Sequence, residues 1–326
     1  MFKKLFFLFS LIYFVKVYSQ SKNVLGTWIL DKIIYSNGKD IEVNTELFSY
    51  ELIYKIAPNR ITINDYLFDA TFDENVIQMG NRKINYEFKN NYFLLKDVDD
   101  NKIYLFLNRE NFIKKYPEFQ PKIEVINGDT LLISNPVTKP IFNSEISFSD
   151  FLNRNMFQGS TKNEKDLYFK AQYTLTKDNK IKNISIIDGR NSRYDTEFIS
   201  ALKKAEVFVQ NPFGKDLLVT KEVHFLRFFK DLELEDEKSL FKIIEKGEFY
   251  YNKRLFKKAI LEFEKIRDLH IQENNYKMNI ADANLKLAIS YLGVNQIDKA
   301  CTTLESIGDK TDFKVRNYLI NFCNKE

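Results

Sequence analysis

Between residues 24 and 109 apolar and polar side chains alternate in short runs, which is the pattern of half-buried strands. Runs 60–63, 83–88, 92–95 and 102–107 carry it, separated by turn formers at Ser36-Asn37-Gly38, Gly80-Asn81-Arg82, Asn90-Asn91 and Asp99-Asp100-Asn101. Short strands with regular turns predict an antiparallel sandwich or barrel over residues 20–115. Residues 116–142 hold Pro117, Pro121, Pro136 and Pro140 around one predicted hairpin, 123–133, turning at Asn127-Gly128, and read as a connector. Alternation returns over residues 168–175, where Phe169, Ala171, Tyr173 and Leu175 share a face, and over 181–187, with a polar turn between. Ser192 followed by Asp195 predicts a capping box opening a helix with the stripe Phe198, Ile199, Leu202 and Ala205. The β-branched and aromatic run 219–228 predicts a third strand. From Ser239 onward the apolar spacing changes to three and four, predicting helices.

Residues 167–229 carry the order strand, strand, helix, strand. Their markers are the turn Lys177-Asp178-Asn179-Lys180, the strand Ile184-Ser185-Ile186-Ile187, the helix start Tyr194-Asp195 and the turn Asn211-Pro212-Phe213-Gly214-Lys215. This order resembles the C-terminal domain of TonB, the periplasmic energy-coupling protein of Gram-negative bacteria. The resemblance implies a central αββαβ domain over residues 143–232. In that family an extended peptide from an outer-membrane receptor pairs beside the last strand. Carried over, residues 219–228 become a docking edge, with Val219, Lys221, Val223, Phe225 and Arg227 as its partner-binding residues. The family's tyrosine-proline signature is not found in residues 147–154, so the energy-coupling role is not carried over.

Two further resemblances flank the central one. The opening Leu25-Gly26-Thr27-Trp28 resembles the start of lipocalin-like domains, which implies structural roles for Gly26 and Trp28, with Arg109 over the indole. A barrel of that size is either filled by its own side chains or encloses a small apolar ligand. In the C-terminal part, Gly247, Tyr250, Ala259 and Phe263 set a spacing that Ala288, Tyr291, Ala300 and Leu304 repeat 41 residues later. This resembles a pair of tetratricopeptide repeats over residues 236–326, with extra residues in 268–278 and a capping helix at 313–323. That resemblance implies peptide contacts by Tyr250, Asn284 and Tyr291 on a concave surface; seam packing between hairpins explains the same residues.

Composition then narrows the classes. A hydrophobic content of 44% is ample for buried cores. Residues 1–19 read as a signal peptide: Lys3-Lys4, an apolar stretch 5–15 too short to span a bilayer, and the exit Val17-Tyr18-Ser19. The expectation is export to the periplasm or outer-membrane vicinity of a Gram-negative bacterium. Removing that segment takes Lys3, Lys4 and Lys16 and no acid, so the formal charge falls from +4 to +1 and gives no electrostatic reason for a nucleic-acid partner. No phosphate-binding glycine loop or Gly-x-Ser-x-Gly elbow occurs, and the two histidines, His224 and His270, fall in different predicted domains. Asp97, Asp99, Asp100 and Asn101 lack the glycine and closing glutamate of a calcium loop. The reading is therefore a non-enzyme without cofactor or metal. Cys301 and Cys323 either pair, which an exported compartment permits, or stay as buried thiols. The chain reads as a multidomain α+β protein-interaction module of the cell envelope, docking a peptide or envelope protein, such as an outer-membrane receptor, and peripheral to the membrane at most. The alternative is a carrier of a small apolar ligand in the N-terminal barrel.

Overall fold

The computed structural model describes residues 24–39, 42–43, 45–49, 51–126, 128–156, 167–227, 229–272, 275–308 and 311–323, so the predicted signal peptide lies outside them. The chain forms two compact units. The first takes residues up to 41, 51–120 and 144–146; the second takes 42–50, 121–143 and 147–326.

The first unit is a meander of nine strands: β1 (Gly26–Tyr35), β2 (Ile53–Ala57), β3 (Arg60–Ile63), β4 (Tyr66–Asp69), β5 (Thr71–Asp73), β6 (Val76–Met79), β7 (Arg82–Lys89), β8 (Tyr92–Asp97) and β9 (Lys102–Asn108). Their order, β4-β3-β2-β1-β9-β8-β7-β6-β5, leaves as its two ends strands that only Ala70 separates in sequence. The sheet is thus a nearly closed antiparallel barrel. Cross-strand register fixes which residues face inward, because paired residues share a face. Trp28 pairs with Tyr54, Leu30 with Phe106, Phe93 with both Phe106 and Phe88, and Tyr86 with Leu95. Ring contacts agree: Trp28 lies 4.9 Å from Phe93, and Tyr54 lies 5.0 Å from Phe106. The Trp28 indole N–H donates to the Val24 carbonyl at 2.8 Å, which satisfies its one polar atom in a buried setting. Gly26 has φ of 128°, a conformation closed to residues with a Cβ. Arg109 follows Asn108, the register partner of Trp28, and partial burial lowers its pKa.

A bulge at Asp31 gives this barrel an external lock. The β1–β9 register slips between Leu30 and Lys32, which turns the Asp31 carboxylate onto the outer helix α1 (Arg109–Lys115) and its C-cap Tyr116. There it accepts from Tyr92 at 2.8 Å, from Lys115 at 2.7 Å and from the Tyr116 hydroxyl. Burial alone would lower the Lys115 pKa, but the bond and charge of Asp31 raise it overall.

The second unit is built on a mixed sheet of β10 (Ile123–Ile126), β11 (Asp129–Ile133), β13 (Tyr168–Leu175), β14 (Ile181–Asp188) and β16 (Leu217–His224), in the order β10-β11-β16-β13-β14. A two-strand pair, β12 (Ile141–Phe142) with β15 (Val209–Gln210), lies apart from it. Helices α2 (Phe148–Arg154) and α3 (Ser192–Ala205) complete the central part. The cap of α3 differs from expectation by one residue. Asn191, not Ser192, accepts the Tyr194 N–H, and Asp195 reaches back to the Arg190 N–H instead of a serine cap. Asparagine and serine cap about equally well, so the residue whose backbone is extended takes the role.

Helices α4 (Glu235–Asn252), α5 (Phe256–Phe263), α6 (Lys277–Gly293), α7 (Ile297–Ile307) and α8 (Phe313–Tyr318) follow. Read as a separate domain from sequence, they share one apolar core with the sheet: Phe169, Tyr173, Phe198 and Leu217 belong to the same cluster as Leu240, Phe263, Leu287 and Tyr291. The two helical hairpins repeat in detail. Arg254 and Asn295 both have positive φ. Their N–H groups donate to Tyr251 and Leu292, and those of Leu255 and Gln296 to Tyr250 and Tyr291, each pair 41 residues apart. Beyond α8 a turn (Leu319–Cys323) ends in a disulfide from Cys323 to Cys301 on α7, with Cα atoms 5.7 Å apart. Residues of 42–49, between β1 and β2 in sequence, pack on this end of the second unit. Phe48 lies 5.1 Å from Tyr318, and the Phe48 and Val43 carbonyls accept from Asn317 and Tyr318. They cover the apolar face that a last helical hairpin otherwise leaves open.

Candidate functional site

The strand that closes the central domain is neither a free edge nor a fully buried one. β16 pairs with β13 over eight consecutive residues, Tyr168 with His224 through Leu175 with Leu217, without a break in register. On its other side β11 runs parallel, but only Leu132 with Leu217 and Ile133 with Leu218 are in register. The Ser134 N–H donates to the Leu218 carbonyl at 2.9 Å, and the chain then turns away at residues 135–138. Pro136 sits in that turn, where it cannot donate to a ladder.

Strand geometry decides which groups remain. The Phe225 N–H donates to Leu167 on the β13 side, whereas Leu218 bonds to the β11 side. With the alternation of an extended chain, odd residues turn their backbone groups to β13 and even residues turn theirs away from it. The backbone N–H and C=O groups of Thr220, Glu222 and His224 therefore face a side on which, among the described residues, no strand pairs with them. The strand spans Leu217–His224, so the expected edge 219–228 stops four residues early. Phe228 lies outside the described residues.

The five residues expected to bind a partner take other positions. Val219 is buried in the core cluster, and Val223 packs against it. Lys221 donates to the Ser149 hydroxyl of α2 at 3.0 Å. Phe225 lies past the strand, edge-on to Tyr194 at 5.2 Å and 4.2 Å beneath the Arg190 guanidinium. Arg227 pairs with the buried Glu237 at 3.6 Å. The side chains beside the open backbone belong instead to the even face. Thr220 accepts from Gln172 at 3.1 Å, and Glu222 pairs with Lys170 at 3.3 Å. Partial burial opposes ionisation of Glu222, but hydrogen bonds from Tyr168 and Lys170 with the charges of Lys170 and Lys277 lower its pKa overall. Burial, reinforced by Lys277 and opposed by Glu222, lowers the His224 pKa, which favours a neutral imidazole. The sheet's outer strands are β10 and β14, and β14, the one beside β13, is built differently from β16. Its ladder with β13 slips twice, between Lys170 and Ala171 and between Gln172 and Thr174, and Asn183 has positive φ. Such bulges are devices by which edge strands resist pairing.

Of the helical residues expected to meet a peptide, Tyr291 is buried at 1% exposure and its hydroxyl donates to Glu264, which makes it part of the seam. Tyr250 and Asn284 are half-buried, with Lys258 5.6 Å from the Tyr250 ring. At the β8–β9 turn, Asp97 pairs with Arg82 at 2.6 Å and Asp100 with Lys102 at 2.9 Å. Among the described residues no helix is long and apolar enough to cross a membrane. Neither a protein-family model nor a curated protein matches the chain. The parallel pairing of β11 escaped the sequence reading, although the apolar run Leu131-Leu132-Ile133 beside Pro136 is the signal of a strand that stops abruptly.

Proposed function

We propose that this chain is an exported protein-interaction module of the cell envelope. It recruits an extended peptide from an envelope protein, such as an outer-membrane receptor, by strand addition to β16. The observation that carries this reading is the contrast between the part of β16 that β11 leaves uncovered and the outer strand β14. β16 keeps an unbroken ladder and leaves Thr220, Glu222 and His224 without a strand neighbour among the described residues, while β14 is bulged twice. A partner strand taking up where β11 departs would satisfy those backbone groups, and no special side chain is needed for that. The order α2-β13-β14-α3-β16 is similar to the TonB C-terminal domain, and the repeated hairpins to tetratricopeptide repeats; both likenesses favour a recruiting role without catalysis. A photo-crosslinking residue at Thr220 is expected to trap an envelope protein in cells, and one at Lys182 on β14 is not. Equal capture at both positions, or none at Thr220, refutes the reading.

A second reading, carriage of an apolar molecule in the barrel, has its own observation. Tyr66, Phe68 and Phe88 pair with the inward-facing Ile63, Ile61 and Phe93, yet are 51%, 42% and 44% exposed. By register all three lie on the barrel's inner face. Mass spectrometry of solvent extracts of the purified protein tests it, with a co-purifying lipid as the expected result.

A further inference from the structure

The turn between α4 and α5 carries a surface that its structural twin lacks. Residues 249–261 contain four cations, Lys253, Arg254, Lys257 and Lys258, and no carboxylate. All four are exposed, and among the described residues none of them makes an ion pair. Their neighbours on the same hairpin behave otherwise: Lys238 pairs with Glu235, and Lys246 and Lys265 both pair with Glu262. Apolar side chains stand among the four, with Phe249 52%, Leu255 43% and Leu261 64% exposed. Lys253 lies 4.2 Å from the Phe249 ring.

The second hairpin supplies an internal control. Its turn has the same backbone, with Asn295 in the left-handed conformation that Arg254 adopts and the same two closing hydrogen bonds. At matching positions it places Val294, Asn295, Gln296 and Asp298 where the first has Lys253, Arg254, Leu255 and Lys257, and of the four cations only Lys258 has a cationic counterpart, Lys299. Asparagine is the favoured occupant of that conformation and arginine is not. Folding the hairpin therefore asks for Lys258, whose twin Lys299 lies over Tyr291 as Lys258 lies over Tyr250, but for neither the other three charges nor the exposed leucine. A local conformational cost accepted for a cation is a reason to look for a ligand.

We propose that the α4–α5 turn docks on an anionic lipid surface, its four cations at the headgroups and Leu255 with Phe249 at the acyl boundary. Three features favour a bilayer over an acidic peptide. The four cations and Leu255 are all exposed, on and next to one short helix–helix turn. Cations and apolar groups are interleaved on one exposed turn, the combination that interfacial segments use. The tip is held rigid by the Arg254 and Leu255 backbone bonds, so little ordering is lost when a flat surface meets it. This surface is separate from the β16 margin and does not depend on strand addition.

The test is sedimentation of the mature protein with vesicles of phosphatidylcholine alone and with one third phosphatidylglycerol, at low and high salt. Binding to the anionic vesicles alone is expected, weakening as salt rises. Each cation removed should weaken it about fivefold, so Lys253→Gln with Arg254→Asn and Lys257→Gln should lose about a hundredfold. Leu255→Gln should weaken binding without changing its salt dependence. Arg254→Asn adopts the turn as Asn295 does, so thermal melts should stay level or rise; a lower melt would mark a structural role for the arginine. Wild-type protein that ignores phosphatidylglycerol, or a triple variant that sediments like wild type, overturns the proposal. Capture of an acidic protein by a chain that does not bind vesicles does so as well.

Discussion

Gly247→Ala sets two opposed effects against each other. Gly247 lies inside α4, where alanine would ordinarily stabilise a helix by about 1 kcal/mol. Here a Cβ would stand 2.7 Å from the Cδ1 and Cζ atoms of Phe263 and nearer still to Cε1. Phe263 is fully buried, so its ring cannot swing into solvent and the two helices must part. Overpacking of this kind costs about 1–3 kcal/mol, and a fully buried ring met this closely puts the site in the upper part of that range, which leaves a net loss of about 1–2 kcal/mol after the propensity gain. Urea unfolding followed by far-UV circular dichroism measures it, since the helices of the second unit dominate that signal. The double variant with Phe263→Leu should recover part of the loss, because the smaller side chain makes room. Gly293→Ala should cost less: its Cβ would meet Phe256, which is only half-buried and can yield. A Gly247→Ala midpoint equal to or above wild type would show that the seam is looser than the structure has it.

Three further outcomes follow from other parts of the chain. Asp31→Asn should destabilise the first unit by about 2 kcal/mol, below the usual cost of breaking a buried pair because Lys115 is nearly half exposed and can turn to water. The fluorescence of Trp28, the one tryptophan, reports it. Replacing Cys301 and Cys323 by serine removes a link spanning 22 residues, which should cost about 3 kcal/mol and speed proteolysis after α7. His224 has a folded-state pKa below 6.5, so the stability it contributes is present above about pH 6.5 and is lost as pH falls toward the folded value. His224→Gln should flatten that part of the pH profile of unfolding.

The elements most legible in the sequence are those whose contacts are local. The barrel strands come in hairpins, so alternation and turn residues such as Asn90-Asn91 mark them, and observed strands such as β3 (Arg60–Ile63) fall on the predicted runs. The 41-residue spacing was legible because Gly247, Ala259, Ala288 and Ala300 must be small where helices cross, and all four are buried. What stayed hidden was long-range. The hairpin of the proline-containing connector pairs with a strand about 85 residues later, and no local spacing encodes a parallel neighbour. Asp31 interrupts the apolar run of β1, which is the trace of its bulge, but its three donors come from residues 61 to 85 positions away. The candidate site was legible as a strand and not as an edge. Which backbone groups stay open depends on where β11 leaves, so the odd residues Val219, Lys221 and Val223 were named where Thr220, Glu222 and His224 carry the open groups.

Amide hydrogen exchange along β16 tests the central claim most directly. In the isolated protein the amides of Thr220, Glu222 and His224 should exchange fast while those of Val219, Lys221 and Val223 stay protected, an alternation within one strand. Uniform protection from 219 to 224 would mean that the margin is already occupied by the chain itself, and would contradict the account.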